Sequence, residues 1–164
     1  MNNDYNELIK ITNKVHSDCF ELCKMATGKY LPVAGNIGIF CQSEDEFKRF
    51  LKLREQITEP SNNPNQKYFL LKEPIVVSGT VYTYLYIRKP DPTPYGKYLG
   101  DLDFVLEPKE YAEFKSKVER GEIPGAEMYD RPGWDTIEIT DPNISSVAYI
   151  STQEFAEKVR VRFD

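Results

Sequence analysis

The chain has 164 residues, 40% of them hydrophobic and 13% aromatic, with a formal charge of −5. That length fits one domain with a sizeable core, the composition excludes wholesale disorder, and the acidic balance argues against a sequence-independent nucleic-acid binder, which needs a basic face. No apolar run approaches the roughly 20 residues of a membrane-spanning helix, and the polar N-terminus lacks a signal-peptide pattern. Three cysteines in no metal or disulfide spacing add to the expectation of a cytoplasmic protein.

In chain order, Asp4 to Ala26 reads as a helix, with Leu8, Thr12, Val15, Cys19, Leu22 and Ala26 at steps of four and three. Asp4 with Glu7 predicts a capping box, and Gly28 a left-handed stop. A strand follows from Gly35 to Gln42, then a helix capped at Ser43 that buries Phe47, Phe50, Leu51 and Ile57. Thr58 to Asn65 is turn-rich and reads as a surface loop. Lys67 to Val77 resumes strand character, broken at Glu73-Pro74, and Ser78-Gly79 turns the chain into a long strand from Thr80 to Arg88.

Lys89 to Gly96 carries three prolines and predicts a stiff connector. A strand from Gly100 to Leu106 leads into a helix opened by Glu107-Pro108, with Tyr111, Phe114 and Val118 inward. Further short strands are expected at Ala126 to Tyr129, Asp135 to Ile139 and Ser146 to Ile150, with a turn at Asp130 to Gly133 before Trp134. Ser151 and Glu154 predict a cap for a helix ending near Lys158, and Val159 to Phe163 alternates like an edge strand guarded by Arg160 and Arg162.

Two strands carry the candidate chemistry. In the segment from Gly100 to Leu106, period-two alternation puts Asp101 and Asp103 on the face opposite Leu102, Phe104 and Leu106. That polar face is either solvated and salt-bridged or a ligand or metal site, and Glu138 stands at the same balance. Should two of these carboxylates share a buried site, like-charge repulsion raises the pKa of one and makes an acid/base pair. In the strand from Thr80 to Arg88, Tyr82, Tyr84, Tyr86 and Arg88 share a face opposite Val81, Thr83, Leu85 and Ile87. Three tyrosines ending in an arginine suit either an amphipathic outer wall or a pocket that stacks a planar group and pairs an acid. His16, Cys19 and Cys23 lie along one side of the first helix, but buried core residues are the better reading than zinc ligands. Cys41 points with Ile37 and Ile39, as a buried thiol does. No phosphate loop, nucleophile elbow or Ser/His/Asp set is recognisable.

The Gly100 strand has a counterpart about 65 residues earlier in Gly35-Asn36-Ile37-Gly38-Ile39-Phe40-Cys41, and each of the two is followed by a helix with an aromatic pair at i, i+3: Phe47 and Phe50, then Tyr111 and Phe114. Each half reads as strand, helix and three shorter strands. This order resembles the glyoxalase, bleomycin-resistance and ring-cleaving dioxygenase superfamily, the vicinal oxygen chelate fold, in which two βαβββ modules curl into one cleft. Within it, Leu71-Lys72-Glu73-Pro74-Ile75-Val76-Val77 and the Gly35 strand resemble stretches of the YecM-like group of uncharacterised proteins. The resemblance implies an α+β single domain over 1–164. It would comprise an N-terminal helical segment (1–30), a first module (31–90), a second (97–151) and a C-terminal short helix and strand (152–164).

In metal-using members of that superfamily the first strands offer His or Glu and a later strand a Glu. Here those first-strand positions hold Asn36 and Asp101 or Asp103. His16 is the only histidine, which excludes a two-histidine iron site. The one cofactor these residues admit is a weakly held divalent ion on Asp101, Asp103 and Glu138. The expected cleft is lined by Asn36, Tyr82, Tyr84, Tyr86, Arg88, Asp101, Asp103 and Glu138. Its favoured use is non-catalytic binding of a small molecule. The alternatives are a metal-dependent lyase, isomerase or hydrolase in the same cleft, with Arg88 pairing a substrate acid, and a protein-interaction module presenting the first helix or an edge strand. Nucleic-acid and membrane partners are not expected, and a homodimer is compatible with the sequence.

Overall fold

Two strands with opposite faces of opposite character pair at the centre of the molecule. The computed structural model describes residues 3–131 and 134–161. In it, β1 (Val33–Phe40) runs antiparallel to β4 (Gly100–Val105), and each has a parallel neighbour on its outer side: β3 (Thr80–Arg88) beside β1, and β7 (Val147–Ser151) beside β4. β2 (Phe69–Val77) closes one edge against β3, while β6 (Trp134–Ile139) and β5 (Ala126–Arg131) close the other, giving one seven-stranded sheet in the order β2-β3-β1-β4-β7-β6-β5. The fold is α+β, with two modules side by side sharing one cleft and a helix in front, as the sequence predicts.

The helices divide between the faces because the strands do. Ile37, Ile39, Leu85, Ile87, Leu102, Phe104, Ile137, Ala148 and Ile150 form an almost fully buried apolar face. On it lie α1 (Asn3–Thr27), α2 (Glu44–Ile57) and α3 (Pro108–Glu119). α1 crosses the middle strands and buries Leu8, Val15, Cys19, Leu22 and Cys23. Its histidine and cysteines are core residues: burial keeps His16 below its usual pKa, and the Cys19 thiol donates to Val147 O. Cys41 is also buried, its thiol pushed up to about 12 by loss of solvent. Ser43 caps α2 as expected, accepting from Glu46 N at 3.1 Å. α4 (Gln153–Lys158) is the exception among the helices, packing on β1 and β4 from the polar face.

Several local expectations are corrected. Asp4 and Glu7 do not form a capping box. They lie within α1 and together clamp Arg49 of α2, at 2.7 and 2.8 Å. The first module has two strands after its helix rather than three, because the interruption at Glu73-Pro74 is a bulge within β2: Leu70 pairs Tyr84 and Ile75 pairs Tyr82, leaving Leu71 to Pro74 opposite Thr83 alone. The cap of α4 is Thr152, which accepts from Phe155 N, since Ser151 is still the last residue of β7. The turn over Asp130 to Gly133 and the tail from Val159 to Phe163 lie partly outside the described residues. Within them, Val161 bridges Gln66, while Arg160 turns onto the polar face.

Candidate functional site

A cavity of about 640 Å³ opens on the polar face of the sheet. Register explains which side chains reach it. Tyr86 and Arg88 of β3 stand level with Gly38 and Phe40 of β1; Asp103 of β4 stands level with Tyr149 of β7, and Tyr149 with Glu138 of β6. Alternation then aims Tyr86, Arg88, Phe40, Asp101, Asp103, Tyr149 and Glu138 the same way, and all of them line the cavity.

At the middle of the floor, Asp101 and Asp103 are 8% and 7% exposed, too little for a freely solvated face. Loss of solvent, then repulsion from Asp103, pushes the Asp101 carboxyl up to about 7; loss of solvent also raises Asp103, against the stabilising bond from Asn36. Neither makes an ion pair among the described residues. Asp101 accepts from the Tyr68 hydroxyl at 3.3 Å, and Asp103 from Asn36 Nδ2 at 2.9 Å. Burial likewise raises Glu138, which accepts from the Tyr149 hydroxyl; that hydroxyl also bonds Tyr95 of the proline-rich connector.

Arg88 has a distinct environment. Its guanidinium stacks on Phe40, 3.5 Å from the ring centroid, with Tyr95 at 5.2 Å. Its Nε and Nη2 are buried and have no hydrogen-bond partner among the described residues. These two nitrogens form one edge of the planar group, the edge that grips a carboxylate with two parallel bonds. Lys67, the other cation of the cavity wall, lies over Tyr86 at 5.0 Å.

Not every residue expected in the cleft is there. Tyr82 turns to the helix-bearing face, where its hydroxyl meets His16 Nδ1 at 2.6 Å and the ring is fully buried. Tyr82 is buried along with Leu85 and Ile87, so the alternation of β3 itself slips at Thr83, opposite the irregular stretch of β2. Tyr84 is covered by Arg160, whose guanidinium lies 3.9 Å from its ring. Asn36 sits beneath the floor as a junction. Its Nδ2 donates to Asp103 and to Ala156 O, and its Oδ1 accepts from Arg160 Nε at 2.8 Å, so one side chain joins β1, β4 and α4. Asn36→Ala is expected to lower stability by about 2–3 kcal/mol, because it strips a buried carboxylate of its donor as well as losing the bonds to α4. Thermal melts and faster proteolysis of the C-terminal segment check this; unchanged proteolysis there would show that the junction does not hold α4.

The three carboxylates do not converge on an ion. Among the described residues, no three His, Cys, Asp or Glu side chains gather as a metal site. β7 stands between β4 and β6, so the backbone at Glu138 is two strand spacings, about 10 Å, from that at Asp103, while Asp101 and Asp103 are two residues, about 7 Å of backbone, apart along their strand. The residues present therefore do not fit the divalent ion expected from the sequence.

Several lining residues were missed by the sequence reading: Phe40, Lys67, Tyr68, Tyr95, Tyr129 and Tyr149. Tyr149 was within reach of it, since it alternates with Ala148 and Ile150 on a short strand. Tyr95 was not, because it sits on a connector with no periodicity, folded back over the cleft by the turn at Pro94–Lys97.

No family sequence model matches the chain, and no curated protein sequence does. Among solved structures, one described as "Structural Genomics, Protein EC4020" is 18% identical, with a TM-score of 0.60 over 96% of this chain and 92% of that one. A glyoxalase/bleomycin resistance protein/dioxygenase superfamily member from Vibrio splendidus 12B01 is 8% identical over 70% of this chain and 93% of its own, with a TM-score of 0.35. The genomically encoded fosfomycin resistance protein FosX from Listeria monocytogenes is 15% identical over 72% and 88%, with a TM-score of 0.25. The first likeness spans nearly both chains and shows that this fold recurs; at such low scores the other two are likenesses only. No helix among the described residues is long and apolar enough to cross a membrane.

Proposed function

We propose that the chain is a small-molecule-binding protein whose cleft takes a ring-bearing organic acid, with the acid on Arg88 and the ring among the tyrosines. The observation that carries this reading is the guanidinium edge without acceptors. A buried charged donor left unpaired costs on the order of 1–3 kcal/mol or more, and a carboxylate that displaces what covers this edge would supply both missing acceptors at once. The stacked Phe40 and Tyr95 hold the guanidinium flat, and Tyr68, Tyr86, Tyr129 and Tyr149 offer faces and edges to a planar group. A cavity of about 640 Å³ is in the range of small-ligand pockets.

The test uses 3-phenylpropionate and its uncharged amide as probes, followed by NMR shifts or calorimetry. The acid is expected to bind saturably and the amide at least tenfold more weakly, with Arg88→Ala removing the difference, as the loss of a charge-assisted pair implies. Equal binding of acid and amide by the unaltered protein would sink the reading. A second reading, acid–base catalysis, draws on Asp101, whose carboxyl near 7 is suited to carrying a proton in either direction. We also place the chain with the YecM-like group, on the strength of the Leu71 to Val77 and Gly35 to Cys41 segments, and in the cytoplasm, where three free cysteines stay reduced.

A further inference from the structure

We infer that the molecule bound at Arg88 also carries an amine, held by Asp101, so that the cleft takes a zwitterionic, amino-acid-like ligand with an aromatic side chain. This rests on the organic-acid reading and narrows it.

The cleft presents both signs of charge, which attract each other across it without meeting in a salt bridge. Arg88 stands on β3 and Lys67 just ahead of β2, Asp101 and Asp103 on β4, and no salt bridge joins them among the described residues. Between Tyr86 and Asp101 the floor is Gly38, level with both across β1. Asp101 Oδ1 leans over that glycine, into the place a side chain would fill: a Cβ built there would lie 2.2 Å from it. The carboxylate thus reaches across β1 toward the strand that bears Arg88. A ligand with only an acid would bring a third negative group to two buried carboxylates, and a ligand with only an amine would leave the Arg88 edge unpaired. A molecule with both groups satisfies each partner and adds no net charge to a buried site. The tyrosine faces nearby favour an ammonium as well as a ring.

The groups facing Asp101 set how binding depends on pH. They are Asp103 on its own strand, Lys67 and Tyr68 ahead of β2, Arg88 of β3, Tyr95 of the connector, Tyr149 of β7 and, from the opposite face, Cys19 of α1. The phenols and the thiol are all pushed upward by burial and stay neutral through the working range. The carboxyls are therefore what changes between pH 5.5 and 8. As Asp101 loses its proton an ammonium gains its partner and a simple acid gains a repulsive neighbour.

The experiment compares L-phenylalanine with 3-phenylpropionate, which lacks only the amine, by calorimetry or NMR at pH 5.5 and pH 8. L-Phenylalanine is expected to bind about tenfold tighter at pH 8 than at pH 5.5, and 3-phenylpropionate to weaken over the same interval. In Asp101→Asn the two compounds should bind within about threefold of each other at pH 8. If 3-phenylpropionate binds as tightly as L-phenylalanine at pH 8, or if Asp101→Asn leaves their ratio unchanged, the amine assignment is wrong while the organic-acid reading stands. If neither compound binds, the organic-acid reading fails and this inference goes with it.

Discussion

Asp101→Asn is expected to be more stable than the parent protein at pH 8, by on the order of 3 kcal/mol, with the advantage shrinking as the pH falls toward 4. The sign follows from where the proton is held. Burial and the neighbouring Asp103 push the Asp101 carboxyl up to about 7 in the folded chain, against 3.8 as its ordinary value. The folded state therefore keeps that proton more tightly than the unfolded state does. Stability from this group is fully present below the unfolded value and is lost as the pH rises through about 7. Asparagine never ionises, so it escapes the loss and also relieves Asp103. Asp103→Asn removes the same repulsion but disturbs the bond from Asn36, and should gain less. Urea melts of the three proteins at pH 4, 6 and 8 isolate the carboxyl pair, since titrating groups not coupled to it cancel between variants. An Asp101→Asn advantage that is flat with pH would mean the carboxyl is not held near neutrality. A side chain that weakens the fold at working pH is expected at a site kept for a ligand, where removing it trades function for stability.

The contrast between the two strand faces was legible in the sequence because alternation is a local property. Leu102 and Phe104 against Asp101 and Asp103, or Leu85 and Ile87 against Tyr86 and Arg88, need only the period of a strand. What lies opposite those faces is not local. Tyr82 has the same pattern as Tyr84 and Tyr86, yet the alternation of β3 slips at Thr83 and sends it to His16, and nothing in the residues around Tyr82 signals that slip. Arg160 read as an edge charge because its segment alternates. The chain instead folds it over Tyr84 and onto Asn36, a contact spanning 124 positions. The proposed metal triad failed for the same kind of reason. Its members were chosen by strand and face, but the order β4-β7-β6 places Tyr149 between them, and strand order is fixed by pairing rather than by any one strand's sequence. The aromatic pairs after β1 and β4 are local too, but the helices that carry them pack elsewhere, α2 on β2 and β3 and α3 on β5, so their spacing does not say which strand each helix covers.

Gly100→Ala is expected to cost at least about 3 kcal/mol and to leave the chain largely unfolded at physiological temperature, whereas Gly38→Ala should fold and lose ligand. Both glycines lie where β1 and β4 cross the middle of the sheet, and the difference is in what a methyl group meets. At Gly100 it would stand 2.2 Å from the carbonyl oxygen of Gly38 and 2.9 Å from Val15 Cγ2 of α1, so backbone on one side and a packed helix on the other must move apart. Relief requires separating the central strand pair, whose hydrogen bonds hold the two modules together. At Gly38 the nearest atom is Asp101 Oδ1, the end of a side chain that can rotate away with the backbone in place. The rotation moves the carboxylate off the position from which it reaches across β1. Gly38→Ala should therefore lower stability by only about 1 kcal/mol while weakening L-phenylalanine binding roughly tenfold and 3-phenylpropionate binding much less. Melting curves and titrations of the two variants decide the matter: equal destabilisation by both would show that Asp101 is not free to move and that the floor of the cleft is packed as tightly as its core.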